Sequence, residues 1–313
     1  MKQLLLLISA STLLFNCSSV KPDLNYRDEM RTFVVEIASF AREQDSDFIV
    51  IPQNGHELLL KDGEIATEYV SAVDGLGQED LFFGYTDDDV STPGEDQYYL
   101  INNLTIAKQI DKIILVTDYA RSETNIKASK SKNDQRGYLS FVAPSRNLDV
   151  IPDIPIRNEN TNDITTLSEA KNFLYLLNFG EFETKSELLN DISATNYDAL
   201  IIDAFWGKNV FSSTDLERMK LKANGGKRLV ISYMSIGEAE DYRFYWQENW
   251  DKNRLSWIES ENPNWPGNFK VKYWDTDWKK IIYGDKNSYT QKIINAGFDG
   301  VYLDIIDAFW YFE

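Results

Sequence analysis

Two kinds of reactive side chain are nearly absent from these 313 residues. The chain contains one cysteine, Cys17, and one histidine, His56. A single cysteine excludes a disulfide within the chain and Cys-His chemistry in the mature fold. A single histidine excludes a His-rich zinc site, and a Ser-His-Asp triad would have to use His56. Any catalysis must therefore rest on carboxylates, tyrosines or lysines.

Basic residues are also scarce relative to acidic ones. The chain has 32 Lys and Arg against 50 Asp and Glu, which gives a formal net charge of -18 at pH 7. Such a protein repels nucleic acid and anionic membrane surfaces, and it tolerates neutral or cationic ligands. An acidic composition also aids solubility, and charge by itself favours that simpler role. Nucleic acid is not an expected partner.

An apolar run, Leu4–Phe15, follows Lys2 near the N-terminus and is too short to span a bilayer stably. It ends just before Cys17, a pattern typical of a bacterial lipoprotein signal peptide that is cut before a lipid-carrying cysteine. We therefore predict a signal peptide over residues 1–16, lipidation of Cys17 and a tether over residues 17–25. The protein would be a membrane-anchored lipoprotein of the cell envelope, periplasmic or on the cell surface. An ordinary secretory signal with an incidental cysteine is the alternative.

Short apolar runs alternate with amphipathic helical stretches in the rest of the chain. The eight runs are Phe48–Pro52, Asp80–Tyr85, Lys112–Thr117, Gly137–Val142, Phe173–Asn178, Asp198–Asp203, Arg228–Met234 and Gly300–Asp304. The helical stretches include Arg27–Gln44, Ser186–Ala194, Thr214–Ala223 and Tyr289–Ala296. Near-continuous apolar runs suit strands that are buried on both faces of a parallel sheet.

Eight strands with helical crossovers predict an α/β fold, a (β/α)8 TIM barrel, as a single domain over residues 26–313. A doubly wound open sheet is the alternative, but the sequence has neither a GxGxxG nor a Walker A motif for a nucleotide-binding version. Residues 150–170, rich in Pro, Asn, Thr and Asp, are predicted to form a linker. The segment Phe244–Trp278 is rich in tryptophan and is predicted to be a packed lid or cleft wall.

Acidic residues recur where the predicted strands end, which is where a TIM barrel places its active site. These residues are Asp118, Asp203, Glu238 and Asp304. Clustered carboxyl groups raise each other's pKa and split into a proton donor and an anion, as glycoside hydrolysis requires. We assign Asp304 as nucleophile or stabilising carboxylate, Glu238 as general acid, and Asp203 as substitute acid or substrate ligand.

Two alternative roles for these acids stay open. Acids at strand ends also cap helices or pair with Arg and Lys, and oxygen ligands also suit calcium or magnesium. No ligand spacing is diagnostic of a metal site, so neither a metal nor a cofactor is predicted.

Aromatic and polar side chains near the same rim complete a predicted carbohydrate site. Aromatic faces stack on sugar rings while their polar edges form hydrogen bonds. The predicted substrate-binding residues are Gln53, Asn54, Tyr85, Asp118, Tyr119, Asn178, Trp206, Tyr233, Asp241 and Trp274. Core or lid packing is the commoner role for any one tryptophan. The expected partner is a polysaccharide or oligosaccharide, bound by a monomer.

Several segments together resemble the glycoside hydrolase family 114 superfamily, in its extracellular branch once labelled as related to cysteinyl-tRNA synthetase. They are Ile51–Gly55, Val116–Ala120, Tyr233–Arg243, Asn262–Gly267 and Gly297–Ala308. The resemblance covers nearly all of the mature chain. It implies a TIM barrel and endo-acting hydrolysis of α-1,4-linked galactosamine polymers by two carboxylates. A class I synthetase would need a His-x-Gly-His signature, which one histidine excludes.

The order of these segments differs from the family's order. In the family, the part that resembles Phe173–Ala308 comes first, and the Pro-Gln-Asn-Gly and Thr-Asp-Tyr-Ala segments follow; here they precede it. The chain therefore resembles a circular permutation in which residues 150–170 join the former ends. A closed barrel permits this, because its first and last strands are neighbours.

The resemblance also carries over site residues. Asp304 matches the aspartate of the family's Asp-Asn-x-Asp segment, with Ile305 in place of the asparagine, and Asn54 matches the asparagine that ends the next strand. The family's partner glutamate should follow the strand matched to Asp80–Tyr85, where Tyr85 or Thr86 stands instead. Two functions therefore stay open: an endo-acting glycoside hydrolase that uses Glu238 as its acid, or a non-catalytic glycan-binding surface lipoprotein.

Overall fold

The computed structural model describes residues 24–313. The predicted signal peptide, the lipidation site Cys17 and most of the tether lie outside the described residues. Within the part of the chain that is described, no helix has the length and apolar character needed to cross a membrane.

Eight parallel strands form the centre of the fold, and nearly all of their residues are buried. They are β1 (Ile49–Pro52), β2 (Gly75–Glu79), β3 (Ile113–Tyr119), β4 (Leu139–Ala143), β5 (Phe173–Leu176), β6 (Ala199–Asp203), β7 (Leu229–Ser235) and β8 (Gly300–Asp304). Burial on both faces is what a parallel sheet covered by helices requires, and it explains the near-continuous apolar runs in the sequence.

The strands follow one another in the order that a (β/α)8 fold has. One five-stranded sheet has the order β1-β8-β7-β6-β5, and a three-stranded sheet has the order β2-β3-β4. A parallel bridge between Gln53 and Gly77 joins β1 to β2, and β4 packs beside β5. The pairing of β1 with β8, from Ile49 opposite Gly300 to Pro52 opposite Leu303, confirms the predicted contact between the first and last strands.

Helices cover the sheet between the strands. They are α1 (Tyr26–Arg42), α2 (Thr67–Ala72), α3 (Gly94–Gln109), α4 (Glu123–Asp134), α5 (Lys185–Ser193), α6 (Ser213–Met219), α7 (Thr276–Ile282) and α8 (Tyr289–Ala296). Short 3-10 helices span His56–Leu59, Leu167–Glu169, Glu248–Asp251 and Ile306–Tyr311. Asn25 starts α1 by accepting a 3.1 Å hydrogen bond from the backbone N–H of Asp28, as an N-cap residue does.

Short antiparallel strands form within the loops. Two hairpins pair Leu60–Lys61 with Glu64–Ile65 and Phe205–Trp206 with Asn209–Val210. A three-stranded sheet combines Glu238–Glu240, Asn268–Val271 and Ile258–Glu261. This sheet makes the tryptophan-rich segment a packed structure in which Trp250, Trp257 and Trp278 are buried.

The prediction of a strand over Asp80–Tyr85 is wrong. Those residues form a loop, and β2 is the preceding stretch Gly75–Glu79. Two glycines weaken the strand pattern of β2, and one of them is required by packing. A Cβ atom on Gly77 would lie 2.0 Å from the hydroxyl oxygen of Tyr302, so only glycine leaves room for that side chain. The strand therefore ends at Glu79, not at Tyr85.

Residues 150–166 run as turns and irregular backbone. The side-chain amide of Asn160, in this stretch, donates a 2.9 Å hydrogen bond to the carboxylate of Asp198, the residue just before β6. The same carboxylate forms a fully buried ion pair with Lys222, at 2.9 Å. That residues 150–170 join the former ends of a permuted chain stays a prediction.

Candidate active site

Glu79 stands at the end of β2, and both of its carboxylate oxygens accept hydrogen bonds. The Gln53 amide donates to one oxygen at 2.6 Å, and the Tyr119 hydroxyl donates to the other. Burial, and then the nearby charge of Asp304, raise the pKa of Glu79 to about 8, although the Tyr119 hydrogen bond opposes the shift. Glu79 is therefore largely protonated at neutral pH.

Asp304 stands at the end of β8 and is held by two donors. The Tyr233 hydroxyl donates to one oxygen at 2.7 Å, and the backbone N–H of Ile305 donates to the other at 2.8 Å. Burial raises the pKa of Asp304 to about 7, with smaller contributions from the charges of Asp307 and Glu238. The two hydrogen bonds favour the ionised form and limit that rise.

The two carboxyl groups flank β1, because the neighbour order is β8-β1-β2. Asn54, directly after β1, takes the left-handed conformation with φ of 59°. Its side-chain oxygen accepts a 3.3 Å hydrogen bond from the backbone N–H of Glu79. Glu79 keeps its proton, whereas Asp304 ionises more readily. Glycoside hydrolysis uses such a pair, with one carboxyl group as the acid and the other as the anion.

Glu238 is the first residue of the strand Glu238–Glu240 and is fully buried. One of its oxygens accepts hydrogen bonds from Asn262, at 2.9 Å, and from Tyr311, at 2.8 Å. Its negative charge is one of the causes that raise the pKa of Asp304. The catalytic role given to Glu238 from the sequence stays a prediction, and the structure offers Glu79 as a second carboxyl partner for Asp304.

Asp203, expected as a substitute acid or substrate ligand, is engaged in a buried ion pair. The Arg243 guanidinium lies 2.6 Å from one Asp203 oxygen, and the other oxygen accepts the backbone N–H of Phe205 at 2.8 Å. Arg243 also pairs with Glu240 at 2.5 Å. Burial raises the pKa of Asp203 and Arg243 opposes that rise. Both Asp203 oxygens are thus held by neighbouring groups, and its predicted role as substitute acid or substrate ligand stays a prediction.

Asp118 is not positioned to bind substrate, which corrects the sequence prediction. Its side chain is fully buried, and one oxygen accepts the backbone N–H groups of Phe82 and Phe83 at 2.8 and 3.2 Å. The other oxygen accepts the Ser129 hydroxyl at 2.5 Å and the Asn133 amide at 3.2 Å. Asp118 thus ties the loop after β2 to β3 and α4.

Three of the predicted substrate-binding residues position the carboxyl groups instead. Gln53, Tyr119 and Tyr233 are nearly buried and donate to Glu79 or Asp304. Asn54 and Tyr85 line the cavity beside Glu79, and their role as substrate-binding residues stays a prediction.

The other predicted substrate-binding residues do not line this cavity. Trp274 packs against Tyr26 and Phe312, at ring-centroid distances of 5.1 and 4.7 Å, so its predicted role is corrected to packing. Trp206 is half-buried and stacks on Phe179. Asn178 is exposed and donates to the Asn147 carbonyl; Asp241 is exposed, and its backbone N–H donates to the Gly267 carbonyl at 2.9 Å.

A cavity of about 200 Å³ opens beside Glu79. It is lined by Asn54, Gly55, His56, Glu57, Gln78, Glu79, Asp80, Tyr85, Leu100, Asp307 and Trp310. Sequence reasoning missed Glu79, because the strand was placed after it. It also gave no role to Trp310, whose exposed aromatic ring follows the final strand. Within residues 24–313, no three His, Cys, Asp or Glu side chains are grouped to hold a metal ion.

Comparison with known proteins places the chain in a family. A model of the glycoside-hydrolase family GH114 matches residues 156–312, half of the chain. An uncharacterized protein of Methanocaldococcus jannaschii is 40% identical over 157 residues, which are 49% of this chain and 42% of that protein. An uncharacterized protein of Thermotoga maritima is 40% identical over 121 residues, 39% of this chain and 36% of that protein. The matches thus span about two fifths of each relative. The chain belongs to glycoside-hydrolase family GH114.

Proposed function

We propose that the protein is a glycoside hydrolase that cleaves an amino-sugar polysaccharide of the polygalactosamine type, with Glu79 and Asp304 as its paired carboxyl groups. The observation that supports this most directly is the placement of Glu79 and Asp304 at the ends of β2 and β8, on the two sides of β1. Burial, and then the Asp304 charge, raise the pKa of Glu79 to about 8. A glutamic acid that keeps its proton at pH 7 can donate it to a leaving oxygen.

The proposed reaction uses the two groups in complementary ways. Glu79 protonates the glycosidic oxygen as the bond from that oxygen to the anomeric carbon breaks. The Asp304 carboxylate stabilises the positive charge that develops on the sugar ring. It either attacks the anomeric carbon, giving an intermediate that water hydrolyses, or takes a proton from the water that attacks. In the first case the ionised Glu79 takes the proton of that water, and Asp304 leaves as its carboxylate. In both cases water supplies the new anomeric hydroxyl, and the leaving sugar keeps the proton first donated by Glu79.

The charge around the site favours a substrate that carries amines. Glu57, Asp80 and Asp307 line the cavity beside the protonated Glu79, and the whole chain has a net charge of -18. Clefts lined by one sign of charge concentrate ligands of the opposite sign. A partly cationic galactosamine polymer fits this surface better than an acidic polysaccharide.

The alternative is a non-catalytic glycan-binding lipoprotein. It was left open because the sequence has no glutamate at Tyr85 or Thr86, where the family's partner glutamate was expected. The strand β2 ends at Glu79, and we take this residue as the counterpart of the family's partner glutamate. The hydrolase is therefore the better supported of the two functions.

We also propose that the eight strands close into a (β/α)8 barrel of permuted order. The family model matches residues 156–312, which contain β5 to β8 and Asp304, while Glu79 lies on β2 outside the match. The strands β1 to β4 continue the same neighbour order.

We further propose that the protein is a monomeric cell-envelope lipoprotein anchored through Cys17. Labelled fatty acid should enter the wild-type protein and not Cys17→Ser.

A panel of polymers tests the activity. Lipid-free protein is incubated with α-1,4-linked galactosamine polymer, its N-acetylated form, chitosan and a neutral α-1,4-linked glucan, and new reducing ends are measured. We expect product from a galactosamine polymer and none from the glucan. Absence of product from all amino-sugar polymers, with a folded protein, would overturn the proposed function.

A further inference from the structure

Arg146 lies close enough to the proposed acid for its charge to act on Glu79, although it does not line the cavity. It follows β4 in the chain, and its side chain is 35% exposed. Its guanidinium group makes four hydrogen bonds to the loop that follows β2. The reaction proposed above uses none of these contacts.

The guanidinium group fixes the residue that directly follows Glu79. Two of its nitrogen atoms donate to the two carboxylate oxygens of Asp80, at 2.9 and 3.3 Å. One of these nitrogens also donates to the Gly84 carbonyl at 2.8 Å, and the third nitrogen donates to Asp88 at 3.1 Å. Such a fork fixes the direction of a carboxylate as well as its distance. Arg146 therefore holds the chain at the end of β2, where Glu79 stands.

The same guanidinium group packs against Tyr119, the tyrosine that donates to Glu79. Its central carbon lies 4.0 Å from the centroid of the Tyr119 ring. Arginine stacks well on an aromatic face, because the ring electrons attract its planar cation. The ring is nearly buried, and its hydroxyl donates to the Glu79 carboxyl group. One side chain thus contacts both neighbours of the acid, the next residue in the chain and the tyrosine that binds its carboxyl group.

Gly84 leaves the space in which these side chains meet. Its φ is 119°, in a region that other residues rarely adopt. A Cβ atom here would lie 2.1 Å from an Asp80 oxygen, 3.0 Å from an Arg146 nitrogen and 3.1 Å from a carbon of the Tyr119 ring. Any larger residue would therefore displace at least one of the three side chains.

Arg146 also brings a positive charge to a group of acids. Burial, and then the charges of Asp304 and Asp80, raise the pKa of Glu79, whereas the Tyr119 hydrogen bond and the Arg146 charge oppose that rise. Loss of Arg146 would remove a cation, leave the Asp80 charge unpaired and loosen Tyr119, and all three changes raise the pKa of Glu79 further. The other titratable groups close to Glu79 or lining the same cavity are Tyr175, Tyr302, His56, Glu57 and Asp307.

We propose that Arg146 is a positioning residue of the reaction, which holds the Tyr119 hydroxyl and the chain at Asp80 so that the carboxyl group of Glu79 faces the glycosidic oxygen. Arg146 acts through these two residues and does not touch the substrate. Catalytic groups must be held to within about 0.5 Å of their productive position by the residues around them. This inference rests on the proposed function, because it concerns the acid of that reaction.

Arg146→Met tests this role, since methionine fills part of the space without a charge or a hydrogen-bonding fork. With α-1,4-linked galactosamine polymer, we expect kcat at the pH optimum to fall at least tenfold and KM to stay within twofold of the wild-type value. The alkaline limb of the kcat/KM profile should move to higher pH, which a merely structural role would not cause. Arg121→Met is the matched control. Arg121 is 64% exposed and also donates to Asp88, at 3.0 Å, and its variant should keep the wild-type kcat and pH profile.

Two further variants separate the charge of Arg146 from its geometry. Arg146→Lys keeps the charge but loses the fork and the flat stacking surface. Its kcat should fall, whereas its alkaline limb should move less than that of Arg146→Met. In the Tyr119→Phe background, Arg146→Met should lower kcat less than threefold, because the hydroxyl that Arg146 positions is already gone.

Urea unfolding at several pH values reports the pKa of Glu79 without substrate. In Arg146→Met, the loss of stability with rising pH should extend to higher pH than in the wild type. If this shift is seen but the wild type cleaves no amino-sugar polymer, the proposed function fails and the effect of Arg146 on Glu79 stands.

Three results would overturn the positioning role while leaving the hydrolase in place. They are an unmoved alkaline limb in Arg146→Met, an equal effect of that change with and without the Tyr119 hydroxyl, and a wild-type kcat in Arg146→Lys. The last of these decides the matter if Arg146→Met does not fold.

Discussion

The side-chain amide of Gln53 donates a 2.6 Å hydrogen bond to Glu79, and this amide is itself fixed by a third residue. The Tyr175 hydroxyl donates to the Gln53 oxygen at 2.9 Å. That second bond orients the amide so that its NH₂ group faces the carboxyl group. Residues from β1, β2 and β5 therefore fix the proposed acid before any substrate binds, which is the preorganisation that catalysis by positioned groups requires.

Replacing Tyr119 with Phe should shift the pH dependence of the reaction. The Tyr119 hydroxyl favours the ionised form of Glu79, so its loss should raise the pKa of Glu79 further above about 8. The alkaline limb of the kcat/KM profile, where the acid loses its proton, should then move to higher pH. Tyr138→Phe, at a buried tyrosine remote from Glu79, serves as the control. An unchanged limb, or one that moves to lower pH, would contradict the role of Tyr119.

Stability should fall as pH rises through the range in which Glu79 titrates. Its pKa is raised from 4.5 to about 8, so the folded state binds more protons than the unfolded state between these values. The stabilising effect is complete below about pH 4.5 and is lost as pH approaches about 8. Urea unfolding at several pH values measures this slope. Glu79→Gln should make the slope shallower over that range, and the part that remains comes from Asp304 and Asp307, whose pKa values are raised to about 7 and about 6. An equally steep slope in the variant would refute the shift.

Most of the strand positions could be predicted from the sequence, because buried parallel strands are continuous apolar runs. The stretch Gly75–Glu79 could not be recognised in this way. Its glycines are there because Ile113 and Tyr302 approach its backbone closely, a contact that the local sequence does not record. The more apolar Leu81 and Phe82 are buried in a loop, which shows that burial alone does not identify a strand.

The candidate site could be predicted only where its residues lie on strands with a continuous apolar pattern. Tyr233 lies within β7 and Asp304 is the last residue of β8, two strands that the apolar pattern located correctly, and the structure brings the two side chains into contact. Glu79 was missed with its strand. Asp118 and Asp203 were chosen by position alone, and their buried partners lie outside the strands that carry them. Ser129 is 11 residues from Asp118, and Arg243 is 40 residues from Asp203.

Removing the Asp118 carboxylate should destabilise the fold. Asp118→Ala leaves the backbone N–H groups of Phe82 and Phe83 without their acceptor in a buried place. Since each buried unsatisfied group costs about 1–3 kcal/mol, we expect the free energy of unfolding to fall by about 3 kcal/mol. Glu64→Ala, at an exposed acid, should change it by less than about 0.5 kcal/mol. A loss of glycan affinity at unchanged stability would restore Asp118 as a substrate ligand.

Ile305 occupies a backbone conformation that suits asparagine better. Its φ is 57°, in the left-handed region where a β-branched residue is strained. Ile305→Asn should therefore raise the free energy of unfolding by about 1 kcal/mol, measured by urea denaturation. Ile305→Val keeps the branched Cβ and should bring no gain. If both variants are equally destabilised, side-chain packing at this position outweighs the backbone strain.

The rate of polymer hydrolysis by Glu79→Gln tests the proposed carboxyl pair most directly. With α-1,4-linked galactosamine polymer as substrate, we expect this variant and Asp304→Asn each to lower kcat by about 10²–10⁴-fold, with melting temperature and glycan binding nearly unchanged. Glu64→Gln, at an exposed glutamate, should keep wild-type activity. The pairing of Glu79 with Asp304 is contradicted if Glu79→Gln turns over polymer at the wild-type rate, or if Glu238→Gln alone abolishes turnover in a folded protein.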